Sequence, residues 1–164
     1  MANYAEQQAG LDEGRDAATA PVPHRSTALS GLYRFLGSFP TAFFTLALIT
    51  DWQYMQTAYL MWQYFSIWLI TAALVVGGLE VLVGIGEWAT GGVRRRNGFG
   101  WHFGLTVLAL LVGLLNAFVH SRDGWTAVVP EGIVLSLVVV ILIYASSLIG
   151  ALVDRRASRR EYAA

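Results

Sequence analysis

The sequence predicts an all-α integral membrane protein, a four-transmembrane-helix up-down bundle with a polar N-terminal tail. Three observations carry this. Of 164 residues, 55% are hydrophobic and only 13% charged, whereas soluble domains run nearer 25% charged. Four apolar stretches each approach or exceed the roughly 20 residues that a bilayer core of about 30 Å demands of a helix. The connections between them are short, which favours antiparallel neighbours.

Residues 1–30 stand apart. They are rich in Ala, Gln, Gly and acidic side chains, with a Pro-Val-Pro at residues 21–23. Glu6, Asp12, Glu13 and Asp16 face only Arg15 and Arg25. The segment has no apolar run of the secretory type. It contains too little apolar surface to offset its ordering entropy, so it is expected to be a flexible cytoplasmic tail. The membrane domain is expected over residues 31–156, followed by a short basic tail over 157–164.

The first apolar stretch covers about residues 32–50, with Arg34 near its start and Pro40 inside it. Proline removes an amide donor and crowds the preceding turn, so a kink is expected near residues 37–40. Asp51, Trp52, Gln53 and Tyr54 read as the loop that follows. The second stretch covers about residues 59–88 and is long enough to tilt or project beyond the core. The third covers about residues 101–119. The fourth covers about residues 128–153, with Pro130 at its start, where proline costs little. Helices are forced on all four, because lipid offers no partner to an unpaired backbone amide.

Arginine placement sets the orientation. The chain has 11 arginines, no lysine, 11 acidic residues and no net charge. Ten arginines fall on the face holding both termini and the loop with Arg94, Arg95 and Arg96; Arg122 is alone on the other. Positive-inside orientation then puts both termini in the cytoplasm. Trp52, Tyr54, Tyr59, Trp62 and Trp125 would form the outer aromatic belt, and Tyr33, Trp88 and Trp101 the inner one. No internal repeat is evident. Three small-xxx-small spacings suggest close helix contacts: Ala73 with Gly77, Gly100 with Gly104, and Ser146 with Gly150.

The absence of cysteine excludes disulfides, thiolate metal sites, Fe–S ligation and a cysteine nucleophile. The neutral charge balance does not suggest a nucleic-acid binder. Phosphate-loop, nucleophile-elbow and HExxH motifs are missing, and no Ser–His pair is suggested. The chain is therefore not expected to be an enzyme or to hold a metal.

Polar residues at membrane depth are the remaining functional candidates. Glu80 and Glu87 are seven residues apart, so they share roughly one helix face. Glu87 is expected at headgroup level, paired with Arg94 to Arg96. Glu80 lies deeper, either hydrogen-bonded to a neighbouring helix or acting as a functional carboxylate. Asn116 and Gln63 read as interhelical hydrogen-bonding groups. His102 and His120 are weak cofactor candidates. They are 18 residues apart on one helix, about 27 Å, so they cannot ligate one haem. A haem b would need His102 with His24, or His120 with Met55 or Met61. Hydrogen-bonding interfacial histidines are the plainer reading. A bound pigment or quinone would leave no motif.

The chain also resembles an uncharacterised bacterial membrane-protein family, domain of unknown function 2231. The resemblance rests on Phe39-Pro40 in the first helix with Asp51 at its end, and on Gly86, Glu87 and Trp88 closing the second. It continues with Arg94 to Arg96 leading to His102, then Asn116, then Leu135-Ser136-Leu137, Gly150, Arg155 and Arg156. It covers about residues 32–156. The family commonly has histidines around its Phe-Pro, where this chain has Tyr33 and Ser38, and usually Asp where this chain has Glu87. Any ligand role of those histidines does not carry over. The resemblance implies a small four-helix membrane protein without an established activity, whose relatives resemble companions of membrane redox systems.

Three functional expectations follow. The first is a non-catalytic accessory subunit that helps assemble or stabilise a larger membrane complex, with a bioenergetic electron-transport complex as the expectation. Its partners would be other membrane-protein subunits and lipid, with a homo-oligomer as a further option. The second is a b-type haem electron carrier. The third is a small oligomeric proton- or solute-conducting bundle using Glu80.

Overall fold

The computed structural model describes residues 28–89, 99–122 and 124–161. Four helices account for nearly all of them: α1 (Ala28–Thr57), α2 (Leu60–Ala89), α3 (Phe99–His120) and α4 (Glu131–Glu161). A short 3₁₀ turn, Gly124–Ala127, lies between α3 and α4. Each of the four is long and apolar enough to cross a membrane. The protein is an all-α four-helix membrane bundle.

The helices run past the limits expected from apolarity alone. Residues 28–30, expected in the tail, already belong to α1, and α4 continues through residues 157–161. Residues 1–27 and the loop bearing Arg94, Arg95 and Arg96 lie outside the described residues. The most consequential difference is the end of α1. Asp51, Trp52, Gln53 and Tyr54 form not a loop but a further turn of helix, which runs on to Thr57. Asp51 is fully buried there and Tyr54 nearly so. The helix continues through Pro40, which is itself buried. It stops at Ala58, whose φ of 53° is left-handed and whose amide closes on the Tyr54 carbonyl at 2.7 Å. Two residues, Ala58 and Tyr59, then suffice to reverse the chain into α2.

The helices pack in a ring: α1 on α2, α2 on α3, α3 on α4, and α4 back on α1. Contacts are widest within the α1–α2 and α3–α4 hairpins. Neighbours are antiparallel, as Tyr33 meets Gly84 and Thr50 meets Ser66 across α1–α2.

One spacing organises all four helices. On α2 the buried positions are Gln63, Ser66, Ile70, Ala73, Gly77, Glu80, Gly84 and Glu87, alternating steps of three and four. The same alternation links Pro40, Phe44, Ala47, Asp51 and Tyr54 on α1, and Thr106, Ala109, Gly113, Asn116 and His120 on α3. It also links Gly132, Ser136, Val139, Ile143 and Ser146 on α4. A 3.5-residue period is the seam of a left-handed coiled bundle. So a repeat of spacing exists where residue types showed none. The seam is filled by glycine, alanine, serine and hydrogen-bonding groups, because lipid gives no hydrophobic drive to helix association and close approach must supply it. Large apolar groups face outward, including Phe35, Trp68, Leu82, Phe118, Ile141 and Leu148.

The seam explains two corrections to the aromatic belts. Tyr33 and Tyr54 fall on it and are only 7% and 3% exposed. Trp52, Tyr59, Trp88, Trp101 and Trp125 face outward, and Trp62 is half-buried. Ala73 with Gly77 and Ser146 with Gly150 lie on or beside the seam, whereas a side chain at Gly100 or Gly104 would meet nothing within 4 Å.

Candidate functional site

Buried polar groups collect at the two ends of the bundle, with an apolar centre between them. Phe44, Ala47, Ile70, Ala73 and Val139 make that centre. The Phe44 ring lies where a Cβ on Gly113 would stand, 2.7 Å from it, so glycine there lets α1 reach across to α3.

The outer cluster is built around Asp51. Its Oδ1 accepts from His120 Nε2 at 2.9 Å, and its Oδ2 accepts from Ser136 Oγ at 2.5 Å. Ser136 in turn accepts from Asn116 Nδ2 at 2.8 Å. His120 Nδ1 lies 3.1 Å from the Asn116 carbonyl. One carboxylate thus joins α1, α3 and α4. Both histidine nitrogens face oxygen acceptors. The pair is fully buried. Beside it, Thr50 and Ser66 hydroxyls meet at 2.7 Å, and one bonds the Ala47 carbonyl. Gln63 Nε2 reaches the Arg122 carbonyl at 3.5 Å.

The inner cluster is built around His102. Its Nδ1 lies 2.9 Å from the Ser146 carbonyl and 2.7 Å from Ser146 Oγ. Ser146 Oγ also reaches the His102 carbonyl at 2.9 Å and Thr106 Oγ1 at 2.8 Å. Tyr33 stands edge-on to that ring, with centroids 6.0 Å apart. Tyr33 also rests on Gly84 and lies within electrostatic reach of Glu80 and Glu87.

The sequence-derived candidates can now be placed. Asn116 and His120 join the outer cluster, and His102, Glu80 and Glu87 the inner one. Glu87 is not at the surface but only 5% exposed on the seam. Glu80 is 2% exposed, and its Oε1 lies where a Cβ on Gly37 would stand, at 2.7 Å. Two arrangements were not foreseen. Asp51 with His120 and Ser136 was missed because Asp51 read as loop. Ser146 with His102 is a Ser–His contact where none was expected, although its serine is tied into three further bonds and fully buried. His120 spends both nitrogens on protein oxygens, and Met61 faces outward. No cluster of three His, Asp or Glu able to hold a metal occurs among the described residues.

The comparisons with known proteins agree with this architecture. No curated protein and no solved structure matches the chain. The family model described as "Predicted membrane protein (DUF2231)" matches residues 36–158, which take in Asp51, Glu80, Glu87, His102, Asn116, His120, Ser136 and Ser146. The chain belongs to this DUF2231 family of predicted membrane proteins.

Proposed function

We propose that the protein is a non-catalytic integral membrane subunit that helps assemble or stabilise a larger membrane complex, bioenergetic in kind. It sits in a bacterial inner membrane with both termini in the cytoplasm. One observation carries the reading. Most of the buried polar side chains join the bundle's own helices, and large apolar and aromatic side chains face outward. Asp51 and His120, the pair best suited to chemistry, are closed against each other and fully buried. Trp68, eight residues into α2, is 73% exposed. So exposed a ring gives a neighbouring helix a surface to pack on. The orientation rests on the arginine asymmetry.

The test is purification from native membranes in mild detergent, followed by the intact mass of the assembly. A stoichiometric assembly with other subunits is expected. A monomer or a homo-oligomer alone overturns the reading.

A further inference from the structure

The two buried acids at the two ends of the bundle are treated very differently. Asp51 accepts two hydrogen bonds, one of them from a histidine. Glu80 is equally enclosed, yet its Oε2 has no hydrogen-bond partner, and no basic side chain among the described residues forms an ion pair with it. Its other oxygen is pressed against the Gly37 backbone. A bare carboxylate in an apolar interior costs several kcal/mol, and such groups acquire a counter-charge.

We propose that Glu80 is the cation-binding carboxyl of the bundle, taking up one small positive charge, a proton or a sodium ion, from the inner end. Among the described residues, the groups around it are acidic, aromatic or neutral. Glu87 is two turns on, along the same seam, toward the end of α2. Between them lies Gly84, against which the Tyr33 and Phe103 rings are packed. From α1 Tyr33 lies within electrostatic reach of both Glu80 and Glu87, and His102 of α3 packs on the other side of the Tyr33 ring, centroids 6.0 Å apart. Ser146 and Gly150 of α4 lie against His102. The apolar centre around Phe44 separates this site from Asp51 and His120, so the charge enters and leaves on one side. Uptake here does not depend on partner subunits and stands apart from the assembly role.

The experiment uses the full chain in lipid nanodiscs. Infrared difference spectra between wild type and Glu80→Gln are recorded while pH is varied, then while sodium is varied at fixed pH with choline as control. The expected result is a carboxyl signal, lost in Glu80→Gln, that responds to one of the two. Response to pH alone identifies the proton, and response to sodium at fixed pH identifies the ion. A Glu80 signal that moves with neither overturns the proposal. Should Glu80→Gln fail to fold, wild type is treated with dicyclohexylcarbodiimide, which adds to protonated carboxyls, and the adduct is mapped by mass spectrometry. Labelling at Glu80 that falls with rising pH or with added sodium supports the site. No labelling under any of these conditions overturns it.

Discussion

His120 and Asp51 are 69 residues apart in the chain and 2.9 Å apart in the fold. They lie on α3 and α1, and the Asp51 side chain crosses to reach both α3 and α4. The bond is made away from water, so losing one member leaves the other's polar atoms enclosed without that partner. His120→Ala is expected to cost about 3–5 kcal/mol of stability. Adding Asp51→Asn to it is expected to recover part of that loss. Reversible unfolding in mixed detergent micelles measures both, and strict additivity of the two substitutions would show that they are uncoupled.

The other described ion pair offers the contrast. Arg122 and Glu131 meet at 2.5 Å, with their side chains 53% and 59% exposed. Exposed pairs contribute about 0–1 kcal/mol. Glu131→Gln is therefore expected to leave unfolding almost unchanged in the same assay. A loss comparable with that of His120→Ala would contradict the burial argument.

Gly132 and Gly150 on α4 each lie against a histidine of α3. A Cβ on Gly132 would stand 2.6 Å from the Ala127 carbonyl and 2.8 Å from His120 Cε1, whereas one on Gly150 would stand 3.3 Å from His102 Nδ1. Gly132→Ala is expected to destabilise by about 1–3 kcal/mol, as overpacking does. Gly150→Ala is expected to be milder, since a few tenths of an ångström relieve it and alanine favours the helix. Equal unfolding midpoints for the two variants would refute this order.

Ala58 ends α1 in a left-handed conformation, φ 53°, where its Cβ is unwelcome and glycine is the usual occupant. Ala58→Gly is expected to stabilise the α1–α2 turn by up to about 1 kcal/mol. The readout is a higher unfolding midpoint, and a lower one would show that the turn tolerates alanine without strain.

The four spans are legible because apolarity over some twenty residues has few other readings. The polar clusters were harder to see. Asp51 is followed by Trp52, Gln53 and Tyr54, a run that looks like an interfacial loop. Yet Phe44, Ala47, Asp51 and Tyr54 continue the three–four alternation, and following that spacing past the end of the apolar stretch would have kept Asp51 in the helix. Its partner was out of reach for a different reason. Nothing local links residue 51 to residue 120, and the seam that joins them emerges only when all four helices are placed. Glu80 was singled out because a carboxyl so far inside a span is conspicuous. Its contact with Gly37 is set by antiparallel packing of α1 on α2.

The α3–α4 hairpin has a consequence for how the bundle finds its alignment. Going up α3 the seam reads His102, Thr106, Ala109, Gly113, Asn116, His120. Going down α4 it reads Gly150, Ser146, Ile143, Val139, Ser136, Gly132, and each step on one helix is matched on the other. Either end shows the same motif, a histidine seated on a glycine with a hydroxyl bridge one turn inward. In a bilayer, sliding two apolar helices past each other by a heptad exposes nothing to water and changes little energy. Here such a slide would put Asn116 opposite Ile143 in one direction, or Thr106 opposite Val139 in the other, and would strand polar groups in oil. The two motifs act as end stops on a rail, locking the helices to a single notch.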